Sequence, residues 1–281
     1  MVAASAGEAL GAATDAIAAA GVETARLDAE LLLAEATGWD RARLAAEPEA
    51  ELPPAAARSF AEMVRRRLRR EPVAYILGRK GFRRIELAVD RRVLIPRPET
   101  ELLVELALAL DPRRVLDVGT GSGAIALAIA DELPRAQVDA TDPSAAAIQV
   151  ARANIERLGL YDRVRCGEGI LPRGDGADAP ALYDLVVANL PYVSEAEWGN
   201  LAPEIRDHEP REALVPGPTG LEAIQELLGG LEQLPERPGA IALEVGEGQA
   251  GEVIELVRGA GFGAVEARRD LAGIERVVVG R

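Results

Sequence analysis

The stretch RVLDVGTGSGAIALAIA, residues 114–130, decides the fold. Its apolar start, VLDV, is typical of a buried parallel strand, and the apolar run at residues 124–130 has the pattern of a helix. Three glycines stand between them, alternating with Thr120 and Ser122. Glycine lets the backbone turn sharply and approach a ligand closely, and the free amides at a helix start, here near Ser122, face such a ligand. We therefore predict a strand, a tight glycine turn and a helix around a ligand site.

Two cofactors fit this stretch. Gly119, Gly121 and Ala124 satisfy the dinucleotide fingerprint, and Asp142 lies about 20 residues further on, where a ribose-binding acid belongs. Asp117, just before the first glycine, favours S-adenosylmethionine (AdoMet), because a carboxylate there can meet the positive amino-acid end of AdoMet. In a dinucleotide site the same carboxylate would repel the pyrophosphate. The stretch by itself leaves both cofactors open.

Composition narrows the class of protein. The 281 residues allow one large domain and one small one. A net charge of −14 argues against a partner bound mainly through phosphates, so no direct nucleic-acid binding is expected. A single cysteine, Cys166, and a single histidine, His208, leave no metal site to expect. No signal segment or membrane-spanning run is visible, so we expect a cytoplasmic protein with no membrane partner. We also expect a monomer.

Residues 1–80 carry helical patterns and predict a small helical bundle. Apolar positions recur at helical spacing in residues 9–20 and 23–36, and Pro53 and Pro54 suit the start of a helix over residues 55–70. Five arginines within residues 65–70 form a basic cluster in an acidic chain. The cluster is either a solvated helix face or a docking patch for an acidic partner. The punctuated segment 71–82 breaks the helical pattern.

A linker hairpin is predicted over residues 81–98, before a third segment that runs to residue 281. The prolines of VLIPRPETELLVE, residues 93–105, either stiffen an interdomain connector or form a lid against the cofactor site. Thr100 is placed to cap a helix that starts at Glu101.

From Arg114 onward, strands and helices alternate, which predicts an open parallel sheet. Asp142 follows the second strand, where it can accept both ribose hydroxyls, or simply cap the next helix. Glu168 follows the third strand and could accept from an adenine amino group, or be a surface acid. Glu244 stands at a later strand end, either near the site or structural.

The tetrapeptide Asn189-Leu190-Pro191-Tyr192 follows the fourth strand and indicates the chemistry. Ligands in such sheets sit at the carboxyl ends of strands, so Asn189 lies near the cofactor. Its side-chain oxygen can accept one hydrogen bond from a planar NH2 group, and the Leu190 carbonyl can accept the other. Pro191 stiffens the backbone and Tyr192 can stack on the flat group. A dehydrogenase has no reason to place this tetrapeptide here.

With these residues in hand, the chain resembles the HemK-type protein-(glutamine-N5) methyltransferases, which modify peptide-chain release factors. The resemblance covers nearly the whole length, and the second and sixth of its motifs are the most specific to the family. The motifs are EPVAYILG (71–78), LIPRPETELLVE (94–105), VLDVGTGSGAIALA (115–128), DP (142–143), VVANLPYV (186–193), EPREAL (209–214), GLEAI (220–224), LEVGEGQA (243–250) and DLAGIERVVVG (270–280).

The resemblance implies a Rossmann-like class I AdoMet-dependent domain with a seven-stranded, mostly parallel sheet, over residues 99–281. It implies that the helical bundle of residues 1–80 binds the release factor. The motifs and the resemblance together predict three sets of site residues. The cofactor-binding residues are Asp117, Val118, Gly119, Thr120, Gly121, Asp142, Glu168 and Asn189. The substrate-binding residues are Asn189, Leu190, Pro191 and Tyr192, of which Asn189, Pro191 and Tyr192 are also catalytic.

The expected reaction is methyl transfer from AdoMet to the side-chain amide nitrogen of the glutamine in a Gly-Gly-Gln loop. Leu190 stands where the family usually has proline, and Gly169 follows Glu168 where the family often has tryptophan. An N6-adenine methyltransferase acting on DNA or RNA is the alternative, since it would use the same tetrapeptide. An NAD-dependent oxidoreductase and a non-catalytic binding module are the other two hypotheses.

Overall fold

The computed structural model describes residues 5–171 and 182–281. By contacts the described chain divides into two units: unit 1 runs to Gly78 and includes Ala202–His208, and unit 2 comprises Arg79–Leu201 and Glu209–Arg281. The helices are α1 (Ala6–Ala19), α2 (Ala25–Thr37), α3 (Arg41–Ala46), α4 (Pro54–Leu68), α5 (Val73–Leu77), α6 (Glu101–Leu110), α7 (Ala124–Glu132), α8 (Ala145–Leu158), α9 (Pro203–His208), α10 (Glu222–Leu231) and α11 (Ala250–Gly259). The strands are β1 (Arg79–Phe82), β2 (Ile85–Ala88), β3 (Arg114–Val118), β4 (Gln137–Asp142), β5 (Val164–Glu168), β6 (Leu185–Ala188), β7 (Ala240–Glu244), β8 (Val265–Arg269) and β9 (Glu275–Gly280).

Unit 1 is helical, as the pattern of its sequence predicts. Ser5 opens α1 with a capping box, in which its hydroxyl accepts from the Glu8 amide and the Glu8 carboxylate accepts from the Ser5 amide. The interpretation of residues 71–82 as a break is wrong for α5, because Pro72 suits the start of a helix turn and Gly78, at φ 72°, ends it. The continuous boundary at residue 80 stays a prediction, and contacts add Ala202–His208 to this unit.

The basic cluster of α4 is largely neutralised within unit 1. The Arg67 side chain is only 5% exposed, with Nε 2.7 Å from Asp28 Oδ2 and Nη2 2.9 Å from Glu204 Oε1. The ion pairs of the cluster are Arg65–Glu62, Arg66–Glu71, Arg67–Asp28, Arg67–Glu204 and Arg70–Glu204. These acids satisfy four of the five guanidinium groups, which argues against the docking-patch hypothesis.

Unit 2 contains the seven-stranded sheet, in the order β5-β4-β3-β6-β7-β9-β8. All neighbouring pairs are parallel except those of β9, which runs antiparallel to β7 and β8. The predicted α/β class and mostly parallel sheet are confirmed. The hairpin β1–β2 forms a separate two-stranded sheet; it begins at Arg79, two residues before the predicted linker, and residues 89–98 follow it without regular strand.

The sheet places its ligand edge between β3 and β6. Both strands are buried along nearly their whole length, as expected of central parallel strands covered on both faces. The chain leaves β3 toward β4 on one side and later returns on the other side as β6, with Val118 in register with Ala188. Such a switch point opens a crevice at the carboxyl ends of the strands. No helix among the described residues is long and apolar enough to cross a membrane.

Candidate active site

The glycine loop after β3 has the conformation that its sequence predicts. Gly119 and Gly121 have φ values of 73° and 55°, which side chains other than glycine rarely adopt. A Cβ on Gly119 would stand 2.9 Å from Leu190 Cδ2, whereas one on Gly121 would meet nothing within 4 Å. The amides of Gly119 and Thr120 both donate to the Thr141 carbonyl, at 2.8 and 2.9 Å. The loop is therefore tied to the end of β4 and leaves the Gly121 backbone open to a ligand.

Asp117 lies beneath this loop and does not line the cavity described below. Its Oδ2 accepts from the Thr120 hydroxyl at 2.6 Å and from the Ala126 amide at 3.1 Å, so the carboxylate joins the loop to α7. Its Oδ1 is buried without a hydrogen-bond partner among the described residues. Complete burial raises the Asp117 pKa to about 7, since desolvation disfavours the charged form. Direct contact with the amino group of AdoMet stays a prediction.

Asp142, at the end of β4, does line the cavity. Its Oδ2 accepts from the Gly121 amide at 2.9 Å and its Oδ1 from the Ser144 amide at 2.8 Å. These two bonds hold the carboxylate in one orientation, and each oxygen keeps a second lone pair for a ligand. The helix cap of α8 is the Ser144 hydroxyl, which accepts from Ala147. Burial, and to a smaller degree the Glu212 charge, raise the Asp142 pKa.

Asn189 follows β6 directly and lines the cavity beside Leu190 and Pro191. Its Nδ2 donates to the Thr100 hydroxyl at 2.9 Å. No other hydrogen bond of this side chain lies within the described residues, so Oδ1 is the polar atom that remains for a ligand. The Leu190 side chain is 8% exposed, packs in the core of unit 2 and contacts the Gly119 position.

Tyr192 and Glu168 lie outside the cavity lining. The Tyr192 carbonyl accepts from Gln249 Nε2 at 2.9 Å, which fixes the backbone after Pro191. Burial, and next the Glu244 charge, raise the Tyr192 pKa to about 12, so its phenol is neutral at physiological pH. Glu168 is exposed at the end of β5, in register with Asp142. Of the predicted cofactor residues, Val118, Gly119, Thr120, Gly121, Asp142 and Asn189 line the cavity together.

The two family-specific motifs form one wall of the cavity. Glu209, whose side chain is 1% exposed, accepts from the Ile95 amide at 3.1 Å and from the Arg97 guanidinium. This clamp joins the 94–105 motif to the 209–214 motif. Both then contribute lining residues, namely Leu94, Pro96, Arg97, Thr100, Pro210, Glu212 and Ala213. The proline-rich stretch is thus a fixed wall of the cavity rather than only a connector.

Sequence reasoning missed Glu209 and Arg97, and it gave Thr100 the wrong role. These residues lie in the 94–105 and 209–214 motifs, but the motifs do not show which of their side chains form hydrogen bonds with each other. Thr100 has helical φ and ψ, and its side chain makes no capping bond to α6. Helix α6 starts at Glu101 as predicted, but the predicted capping bond is absent, because a short 3-10 turn over Pro98–Thr100 precedes α6 and turns the hydroxyl toward Asn189.

The cavity has a volume of about 350 Å³, within the usual range for small-molecule sites. Its charged lining is mostly acidic, with Asp142, Glu212, Glu222 and Glu226 against Arg92 and Arg97. An acidic lining suits a cationic ligand and opposes a pyrophosphate. Together with the open Gly121 backbone and the free lone pairs of Asp142, these residues fit AdoMet better than a dinucleotide.

Comparison with known proteins adds two family models. Residues 8–78 match the PrmC N-terminal domain and residues 98–215 match the methyltransferase small domain. The first match lies in unit 1. The second lies in unit 2 except for Ala202–His208, and it includes the glycine loop, Asp142 and Asn189.

Relatives of known function match over most of the chain. The release factor glutamine methyltransferase of Bordetella pertussis is 45% identical over 260 residues, which cover 90% of this chain and 93% of the relative. That of Caulobacter vibrioides is 40% identical over 273 residues, covering 96% and 93%. Among solved structures, the hMettl16 catalytic domain in complex with MAT2A 3'UTR hairpin 1 has a TM-score of 0.57 at 18% identity, covering 83% of each chain. At that identity the likeness shows the fold alone.

Proposed function

The chain belongs to the family of release factor glutamine methyltransferases, and from that premise we propose how its cavity carries out the reaction. The enzyme transfers a methyl group from AdoMet to the side-chain amide nitrogen of a glutamine in release factors. The main support for the residue roles proposed below is the orientation of the Asn189 side chain. Its amide nitrogen is held by Thr100 and its oxygen is left for a ligand, at the switch point of the sheet and beside the glycine loop.

The cofactor half of the cavity is formed by the ends of β3 and β4. When bound, AdoMet supplies an electrophilic methyl group on a sulfonium sulfur. Asp142 accepts hydrogen bonds from the ribose hydroxyls, and the Gly119–Gly121 backbone follows the amino-acid end. Asp117 holds the loop through Thr120 and Ala126 and contributes negative charge beneath it. Glu168, exposed at the end of β5 and outside the cavity lining, is the residue that would accept from the adenine amino group.

The substrate half is formed by the Asn189–Tyr192 tetrapeptide. An amide nitrogen is a poor nucleophile because its lone pair is delocalised. Asn189 Oδ1 and the Leu190 carbonyl accept the two N–H bonds of the glutamine amide, which orients its nitrogen and stabilises the positive charge that develops there. Pro191 stiffens the turn and Tyr192 stacks on the flat amide. The proton leaves to water once the nitrogen carries the methyl group.

The partner is the release factor itself, through its Gly-Gly-Gln loop. Unit 1 binds the body of the release factor, and the enzyme acts as a monomer in the cytoplasm, where its substrate works. A net charge of −14 supports an enzyme that binds no nucleic acid directly. The N6-adenine alternative has the shared tetrapeptide in its favour, while the likeness to the hMettl16 catalytic domain is one of fold and favours neither reaction.

Methyl transfer from labelled AdoMet tests the proposal directly. Three substrates are offered separately: a purified release factor, its variant with alanine in place of the Gly-Gly-Gln glutamine, and bulk ribosomal RNA. We expect label on the unaltered release factor alone. Label on RNA would establish the adenine alternative, and AdoMet binding without transfer to any substrate would establish the binding module.

The role of Leu190 is tested by Leu190→Pro and Leu190→Ala, which both keep the backbone carbonyl. If that carbonyl is the acceptor, we expect each variant to keep transfer within about tenfold of the parent enzyme, with about 1 to 3 kcal/mol less stability from lost packing. Single-turnover rates and thermal unfolding measure the two effects. A dead but folded Leu190→Ala enzyme would show that the leucine side chain, which contacts the Gly119 position, is itself required.

A further inference from the structure

The proposed mechanism assigns no role to the 220–224 and 243–250 motifs. Both nevertheless reach the end of the substrate tetrapeptide, where Gln249 Nε2 of the second motif donates to the Tyr192 carbonyl at 2.9 Å. Tyr192 is the last residue of the segment that is proposed to bind the glutamine amide. The two motifs therefore act on the substrate half of the cavity.

Gln249 occupies the N-cap position of α11, but its side chain makes no capping bond to that helix. The half-buried side chain turns back instead, so that its Oε1 accepts from the Gly246 amide at 2.8 Å while its Nε2 donates to the Tyr192 carbonyl. Helix N-caps are mostly serine, threonine, aspartate or asparagine, whose short side chains bond to the helix amides. The Gln249 side chain therefore serves the tetrapeptide rather than the helix.

The orientation of the Gln249 amide is fixed by its two partners. A backbone N–H can only donate a hydrogen bond and a backbone carbonyl can only accept one. With the Gly246 N–H on one side and the Tyr192 carbonyl on the other, the oxygen and nitrogen of the glutamine amide cannot exchange places without losing both bonds. Gln249 thus joins the loop after β7 to the tetrapeptide by two hydrogen bonds of defined direction.

The peptide group between Tyr192 and Val193 is held on both sides. Its oxygen accepts from Gln249, and its N–H, which belongs to Val193, donates to the Leu214 carbonyl at 2.9 Å. The other end of the tetrapeptide is fixed by β6, which it follows directly. The position of the Leu190 carbonyl, the proposed second acceptor for the glutamine amide, therefore depends on the anchor that Gln249 supplies.

Two glycines allow this close packing. A Cβ on Gly220, which has a φ of 82°, would overlap the Tyr192 carbonyl oxygen and stand 2.9 Å from Gln249 Nε2. A Cβ on Gly246 would stand 3.2 Å from Tyr192 Cδ2 and 2.8 Å from Gln249 Oε1. A side chain at either position would therefore displace Tyr192 or Gln249. We call Gly220, Gly246 and Gln249 together the tyrosine seat.

We propose that Gln249 is a positioning residue for methyl transfer, which acts with the two glycines of the tyrosine seat by fixing the last residue of the tetrapeptide. The inference rests on the proposed function, and it adds the means by which the Leu190 carbonyl and the Tyr192 ring are held in place before the glutamine amide binds. Gln249 itself touches no reacting atom. Such preorganisation raises the rate because the binding groups need not be reoriented at the moment of transfer.

Two substitutions of Gln249 test the inference by single-turnover methyl transfer at saturating AdoMet and release factor. Gln249→Met keeps the length of the side chain but cannot donate to the Tyr192 carbonyl. We expect its rate constant to be at least about tenfold lower than that of the parent, with the calorimetric affinity for AdoMet changed by less than about threefold.

Gln249→Glu gives a pH signature that loss of packing alone would not produce. The ionised carboxylate accepts from the Gly246 amide but has no proton for the Tyr192 carbonyl, whereas the protonated carboxyl can make both bonds. Partial burial beside a carbonyl raises the carboxyl pKa. The rate constant relative to the parent should therefore be low at about pH 8 and should rise at least about twofold as the pH falls to about 5.5.

Matched variants serve as controls. Gln225→Met, at an exposed position of α10, should keep the parent rate constant. Gly246→Ala disturbs the tyrosine seat without changing Gln249 and should lower the rate constant about tenfold. Gly251→Ala, at a position of α11 where a Cβ would meet nothing within 4 Å, should not lower it.

The readouts separate this inference from a folding defect and from the function on which it rests. Unfolded enzyme lowers the amplitude of a single turnover but not its rate constant, and thermal unfolding detects it; if the Gln249 variants do not fold, Gly246→Ala decides. A Gln249→Met or Gly246→Ala enzyme with the parent rate constant, or a Gln249→Glu enzyme without the rise at low pH, would overturn the inference. A parent enzyme that labels no release factor would instead overturn the proposed function.

Discussion

Asn189→Ala is expected to lower the rate of methyl transfer to a release factor by about three orders of magnitude, while the protein stays folded. Removing one preorganised hydrogen-bonding group that acts on developing charge typically costs about 100- to 1000-fold. Asn189 also orients the nucleophile, and it has no other hydrogen bond within the described residues than the one to Thr100. The loss should fall on the chemical step, so single-turnover kinetics at saturating substrates is the measurement.

Two controls accompany this variant. Asn200→Ala removes an exposed asparagine from a 3-10 turn of unit 2 and should keep the parent rate. Calorimetry with AdoMet should show less than about a tenfold change in affinity for Asn189→Ala, since the ribose and the amino-acid end bind elsewhere. An Asn189→Ala enzyme that transfers methyl groups at the parent rate would remove this residue from the mechanism.

Asp142→Ala is expected to weaken AdoMet binding by about 100-fold. Hydrogen bonds to a charged group contribute about 1.5 to 3 kcal/mol each, and the ribose offers two hydroxyls. The substitution also frees the Gly121 and Ser144 amides, whose bonds to the carboxylate are 2.9 and 2.8 Å long, so the loop loses an anchor. Calorimetric titration with AdoMet measures the change, and Asp162→Ala, at an exposed acid, is the matched control.

A thermodynamic cycle isolates the ribose contact from the loosened loop. The parent enzyme should bind the 2′-deoxyribose analogue of AdoMet about tenfold more weakly than AdoMet, as the loss of one hydrogen bond to a charged group requires. Asp142→Ala should no longer distinguish the two ligands. If it distinguishes them as well as the parent does, Asp142 acts on the loop alone and another residue binds the ribose.

The parts of the site that lie close together in the sequence were the most predictable. The strand, glycine turn and helix of residues 114–130 form as expected, because the pattern of apolar residues and the spacing of the glycines are both local properties of the sequence. Asp142 and Asn189 were found because one ends and the other directly follows a parallel strand, and the carboxyl ends of such strands share one edge of the sheet. The domain boundaries and the individual residue roles remain predictions, and the structure brings six of the eight predicted cofactor residues to one cavity.

What failed depends on contacts between distant segments. The basic cluster was interpreted as a possible docking patch because the neighbouring sequence does not show its acidic partners. Arg67 pairs with Asp28, 39 positions away, and with Glu204, 137 positions away. Thr100 was predicted to cap a helix because it directly precedes the first helical residue. Its hydroxyl instead bonds to Asn189, which lies 89 positions further along the chain. Local propensity cannot rank a capping bond against a tertiary bond to a buried amide.

The sequence by itself determined the class of the sheet, the glycine loop, the acids at the strand ends, the tetrapeptide and the family. Each of these depends on residue type and spacing, and these act within a few residues of each other or along one strand. Only the tertiary structure decided that Glu209 clamps Arg97 into the cavity wall, and that the Thr100 hydroxyl accepts a hydrogen bond from Asn189 Nδ2. The reason is physical: a side-chain hydroxyl, amide or guanidinium group bonds to the partner that folding brings beside it, and these partners lie 89 and 112 positions apart in the chain.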